Sequence, residues 1–129
     1  MELYTQSQYK QLIKNGQNRD KDHYPVIKLF MPGMAHTWLI TELDPEEPDI
    51  AFGLCDLGIG FPELGYVSLE EISSVKNRYG FSVERDLHFE AKYPISVYTD
   101  AARFHSRIVE SSDKLDRFNP KKPGGCTPS

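Results

Sequence analysis

Three short β-rich runs, Pro25–Met31, Trp38–Leu43 and Ile50–Leu57, follow one another with only brief connections between them. That spacing constrains the fold more than any other feature. A parallel pair needs a crossover of about a dozen residues or more, whereas an antiparallel pair needs only a turn. Pro32-Gly33 is a turn signal in the first connection. The second, Asp44–Asp49, holds two prolines and suits a hairpin loop longer than the tightest types. Strands joined this way predict antiparallel pairing. In the second run Glu42 shares a face with Trp38 and Ile40. In the third, Ile50, Phe52, Leu54 and Asp56 share a face, and Gly53 predicts a bulge or a close backbone approach.

Helical signals flank these runs. Thr5–Gln8 matches a capping box, Tyr9, Leu12 and Ile13 form an apolar stripe, and Asn15-Gly16 is a stop signal. The polar stretch Gln17–Tyr24 reads as a loop. Gly58–Gly65 reads as a glycine/proline loop, followed by a brief extended piece at Tyr66-Val67. Ser68–Glu71 is a second capping box, with Val67 and Ile72 placed as a staple, and predicts a helix to about Tyr79 that stops at Gly80. Val83–Phe89 alternates as a half-buried strand. Ile95, Tyr98, Ala102 and His105 recur at helical spacing and predict a third helix ending near Ile108. From Glu110 onward the chain is polar, and residues 109–129 are expected to form a disordered tail. The fold class is α+β: one domain over residues 1–108, a small mainly antiparallel sheet of four to five strands, and about three helices on one face.

At 129 residues the chain is long enough for one real core. No apolar run approaches the roughly 20 residues that span a bilayer. The start, MELYTQSQYKQ, lacks the pattern of a signal peptide. Cys55 and Cys126 do not make a disulfide framework, which fits a cytoplasmic, reducing location.

Charge is unevenly distributed. No Lys or Arg lies between Lys28 and Lys76, and that window carries a local charge of −9, against +2 before it and +3 after it. Such a window repels a phosphate backbone and attracts a basic protein surface, which argues against direct binding of nucleic acid. Its carboxylates Glu42, Asp44, Glu46, Glu47, Asp49 and Glu63, with the aromatic anchor Phe61, are the candidate partner-binding residues. Trp38 is assigned to the core.

Chemistry-bearing groups are sparse. Gly58–Gly65 lacks the helix entry and basic residue of a phosphate cradle, so it is assigned to a tight connection. Glu84, Asp86, His88 and Glu90 share a face of the alternating run, and the first three are the candidate metal ligands, weighed against the wet face of an edge strand. Cys55, with His23, His36, His88 and His105 elsewhere in the chain, is assigned to packing rather than to nucleophilic catalysis. No cofactor motif is present. No basic stripe with interleaved aromatics appears, of the kind that binds single-stranded nucleic acid.

The stretches VIKLF (Val26–Phe30), TWLITELDPEEPDIAFGLCDLGIGFPELGYVSLEEI (Thr37–Ile72), VERDLHF (Val83–Phe89) and DAAR (Asp100–Arg103) carry a family resemblance. Over them the chain resembles the uncharacterised bacterial family catalogued as domain of unknown function 2958. The resemblance implies a small accessory protein of plasmids, conjugative elements or phages, with no established activity and no catalytic residues to carry over. Such elements carry acidic inhibitors of CRISPR nucleases and restriction enzymes. A binding protein of that type is therefore the first expectation. A metal-dependent enzyme acting on nucleic acid or nucleotide, using Glu84, Asp86 and His88 or Asp56 with Glu63, is the second. An oligomeric structural or regulatory partner is the third.

Overall fold

A computed structural model describes residues 2–120. The elements run α1 (Gln6–Gly16), β1 (Ile27–Phe30), β2 (Thr37–Leu43), β3 (Ile50–Asp56), β4 (Glu63–Ser68), α2 (Leu69–Ser74), β5 (Glu84–Arg85), α3 (Ile95–His105) and α4 (Ser112–Asp116). The sheet is antiparallel throughout, in the order β4-β3-β2-β1-β5. The α+β class and the antiparallel pairing agree with the sequence. No helix among the described residues is long and apolar enough to cross a membrane.

The capping box on α1 forms as expected. Thr5 Oγ1 accepts from the Gln8 amide at 3.1 Å, and Gln8 Oε1 accepts from the Thr5 amide at 2.8 Å. Asn15 and Gly16 end the helix but do more than end it. Asn15 Nδ2 donates to the Thr41 carbonyl at 2.8 Å, 26 residues away and buried. A Cβ on Gly16 would lie 1.9 Å from the Leu43 carbonyl oxygen, so the glycine is required by close approach and not by a left-handed conformation.

Thr41 is the extra residue of a β-bulge. The β2–β3 register runs Ile40↔Gly53 and then Glu42↔Phe52, skipping Thr41. The bulge reverses the faces of β2 beyond it. Trp38 and Ile40 pack into one core with Leu12, Leu43, Ala51 and Leu69. Leu39 and Leu54 pack into another with residues of α3 and α4. Glu42, opposite Phe52, therefore sits on the Leu39 side and not with Trp38 and Ile40. Gly53 is the close approach its position predicts, since a Cβ there would lie 2.0 Å from the Leu39 carbonyl oxygen.

These two cores correct the expectation of helices on one face. α1 and α2 cover one face of the sheet, and α3 and α4 cover the other. Three further departures have local causes. Glu63–Gly65 belongs to β4 and not to the loop, because it extends the ladder with β3 as far as Cys55↔Glu63. α2 stops at Ser74 rather than Tyr79. Ser73, Ser74 and Val75 are weak helix formers, and the Asn77 side chain accepts from the amides of Tyr79 (2.9 Å) and Phe81 (3.1 Å) while donating to the Pro32 carbonyl (3.0 Å). The strand expected over Val83–Phe89 shrinks to Glu84–Arg85, because Asp86 turns the chain by accepting from the His88 amide at 2.9 Å.

The folded unit also continues past Ile108. Val109 and Leu115 are buried in the second core, and Glu110 accepts from Lys28 Nζ at 2.6 Å. The apolar signal here is two residues in a polar stretch, too sparse to mark a helix. Residues 121–129, the rest of the expected tail, lie outside the described residues.

Two stability outcomes follow. Gly53→Ala should lower unfolding free energy by about 3 kcal/mol or more, since only backbone can yield to the new methyl. Leu115→Ala should lower it by about 2–5 kcal/mol, the range for a buried leucine. Denaturant unfolding measures both, and a change within about 0.5 kcal/mol at either site would remove the packing assigned to it.

Candidate functional site

The acidic window does not fold into one acidic surface. Three of its seven candidate residues are committed to the fold. Glu42 is only 8% exposed, and burial pushes its carboxyl pKa up against the opposing pull of His23 and Arg19. Asp44 pairs with Arg19 at 3.3 Å and accepts from the Glu46 amide at 2.9 Å. Asp49 caps α2: it accepts from the Glu70 amide at 2.8 Å and from the Ser68 hydroxyl at 2.5 Å, while its carbonyl accepts from the Leu69 amide. The capping box at Ser68 is accordingly half formed, with Ser68 Oγ accepting from the Glu71 amide and Asp49 adding a second carboxylate at the helix start.

Glu46, Glu47, Phe61 and Glu63 are exposed, Phe61 at 73%. They divide between opposite ends of the sheet. The Asp44–Asp49 loop leads into Ile50, opposite Ser68, whereas Glu63 lies opposite Cys55 at the far end of the same strand pair. Five residues of strand separate these ends by roughly 17 Å.

At the loop end the fold builds an open groove of about 620 Å³. Glu2, Asp49 and Glu70 line it together with Tyr4, Tyr9 and Leu69. The two tyrosine rings lie 5.4 Å apart, centre to centre, tilted by 37°. Burial raises the Tyr4 pKa, and the neighbouring Tyr9, Asp49 and Glu2 raise it further, which places those carboxylates within electrostatic reach of the ring. Carboxylates beside aromatic faces suit a cation such as a lysine or arginine side chain. Glu2 has no sequence signal, since it joins the site only through the fold. Tyr4 and Tyr9 do have one. They occupy the positions before and four after the Thr5 cap, the spacing of a hydrophobic staple.

The other candidate chemistries are not assembled. Glu84 sits in β5 opposite Phe30. Asp86 faces Lys28 at 3.5 Å, and its carboxyl is held below the usual range first by the His88 amide and then by Lys28. His88 is exposed. Among the described residues no three His, Cys, Asp or Glu side chains form a group that could hold a metal ion. Cys55 is half-buried, and burial followed by the charge of Glu63 pushes its thiol up to about 11, so it stays protonated at neutral pH. The glycine loop runs into β4, not into a helix, and offers no phosphate cradle. Trp38 is core, at 5% exposed, with His36 against it edge-on at 6.2 Å.

Asp56 has a structural role that the sequence leaves open. Its carboxylate accepts from the amides of Gly58 and Ile108, both at 2.9 Å, and so fixes the Phe61 loop against the end of α3. It shares a face with Glu42, but the two stand at opposite ends of the β2–β3 pair, at Thr37 and Phe52 respectively.

A family model described as "Protein of unknown function (DUF2958)" matches residues 3–109. No curated protein and no solved structure matches the chain.

The buried carboxyl sets a pH signature. Because the folded-state pKa of Glu42 is raised, the unfolded chain ionises first, and the penalty grows as pH rises above the ordinary glutamate range. Glu42→Gln should therefore stabilise the protein at neutral pH, with the gain vanishing below about pH 4. Denaturant midpoints across that range test this. A pH-independent difference would show that Glu42 folds with an ordinary pKa.

Proposed function

The chain belongs to the DUF2958 family, whose description assigns no activity, and we propose that it works by binding, docking the acidic groove between α1 and α2 onto a basic protein surface. One observation carries this reading. The groove brings the exposed carboxylates Glu2 and Glu70 from separate segments around the Tyr4–Tyr9 pair, with Asp49 capping α2 beside them. Glu46 and Glu47, exposed on the adjoining loop, extend its negative rim.

The partner class follows from that chemistry. Basic side chains of the partner enter between the carboxylates and the tyrosine faces, and the exposed glutamates steer the encounter over about one Debye length. Proteins that handle nucleic acid present such basic grooves, and a chain that mimics phosphate charge competes there. This supports an accessory protein of a mobile element that blocks a host-defence nuclease of the CRISPR or restriction type.

Reversing Glu46, Glu47 and Glu70 together to lysine should leave the fold intact, because all three side chains are exposed. The expected result is at least about a hundredfold loss of affinity, since like charges then face each other. Tagged wild-type and reversed protein would be compared on a lysate of a bacterium carrying defence systems, washed at low and high salt, and any retained protein titrated in pure form. A basic nucleic-acid-handling enzyme that binds the wild type in low salt and fails on the reversed protein is the outcome required. Equal affinity of both forms would exclude the groove as the docking site.

A further inference from the structure

On the opposite side of the molecule the fold assembles a surface that no contiguous stretch of sequence contains. Phe61, on the β3–β4 loop, and Arg103, on α3, line one cavity of about 370 Å³. The next residue on α3, Phe104, is 59% exposed, and its ring lies 5.7 Å from that of Phe118, just past α4. Arg117 stands over both rings, 5.0 Å from Phe104 and 5.9 Å from Phe118. Aromatic and guanidinium groups therefore alternate from the loop across both helices. Lys114 and Arg107 flank them. Burial is the main cause of the low His105 pKa, and Lys114, Arg107 and Arg117 each lower it further, so all three lie close to one point.

These cations are available. Among the described residues Arg103, Arg107, Lys114 and Arg117 form no ion pair. Glu110 is paired elsewhere, with Lys28, whereas Asp116 accepts from the Tyr93 hydroxyl and keeps its charge. With Asp116, the carboxylates Glu63, Asp100 and Asp113 equal these four cations in number, so the face is near neutral in net charge and its cations act locally.

We infer that this loop–α3–α4 face binds single-stranded nucleic acid. Exposed Phe61 supplies a face on which a base stacks, Phe104 with Arg117 over its ring supplies a second platform, and Arg103 and Arg117 supply contacts to phosphates beside them. An acidic protein would use the cations and leave the rings without a purpose. A duplex keeps its bases stacked internally and carries twice the backbone charge per length, which suits a denser cation field than this one.

The test is fluorescence anisotropy of a short labelled oligothymidine against the whole chain, with single-stranded RNA, blunt duplex DNA and polyglutamate as competitors. Binding should be salt-dependent. Replacing Arg103 and Arg117 by alanine should reduce the log–log salt slope by about 1.4, at about 0.7 per cation. Phe61→Ala should weaken binding about tenfold, the scale of one lost stacking contact, and Phe104→Ala should do the same. Thermal melts of the variants guard against misfolding, and the arginine pair and Phe61 decide the matter if Phe104→Ala fails to fold. No anisotropy change with wild type, variants that bind as wild type does, or displacement by duplex or polyglutamate as effective as by single strands would each overturn the inference. Because the acidic groove lies elsewhere, reversal of Glu46, Glu47 and Glu70 should leave this binding in place, so the two surfaces fail or stand separately.

Discussion

The contact that the rest of the architecture depends on is the seating of α1 on the bulge of β2. Inserting Thr41 removes its carbonyl from the regular ladder, and Asn15 satisfies that carbonyl from the helix. The Thr41 hydroxyl meanwhile donates to the Phe52 carbonyl at 3.2 Å, so the bulged residue is bound on both sides. A buried backbone acceptor left without a partner is costly, so helix and bulge specify each other. Two glycines make the approach possible. Gly16 brings the helix end against the Leu43 carbonyl, and Gly53 lets β3 run against the Leu39 carbonyl.

The bulge then decides which side chains reach which core. Without the extra residue, Glu42 would point into the layer formed with Trp38, Ile40 and Leu12. Leu43 would leave that layer for the α3 side. The inserted residue reverses both, giving Leu43 to the first core and moving Glu42 across the sheet. On that second side, polar groups tie the late segments down. Lys28 holds Glu110, Asp56 holds the Ile108 amide, and Asp22 accepts from the Ser96 amide at 3.1 Å at the start of α3. The polar loop before β1 is thus a cap for a helix more than seventy residues later.

What could be read in advance follows from range. Features that depend on neighbours within a few residues are plain in the sequence: the Thr5–Gln8 box, the three central strands and their antiparallel sense, the tight approach at Gly53, and the exposed ring of Phe61. Features that depend on distant partners are not. Thr41 looks like any strand residue until Asn15 is beside it. Asn77 looks like part of a helix until Pro32 offers its carbonyl. Val109 and Leu115 are isolated apolar residues among charges until α3 provides a surface for them. The same limit applies to the candidate sites. A run of carboxylates in sequence suggests one acidic face, but the strands carry its members to opposite ends, and the loops that needed hydrogen-bond acceptors took Asp44, Asp49 and Asp56.

That redistribution bears on how the charge is used. Carboxylates committed to capping and turns lie close to backbone amides, which offset their field over short distances. The effective negative pole is therefore narrower than the sequence suggests: the exposed loop glutamates and the groove that Glu2 and Glu70 complete. The other pole is mixed: Arg103, Arg107, Lys114 and Arg117 stand among Glu63, Asp100, Asp113 and Asp116, while Glu110 is paired with Lys28. Net charge of −4 describes neither pole. The sheet keeps the groove side and the α3–α4 side roughly a domain's thickness apart, beyond the screening length of physiological salt, so the charges on each side act separately.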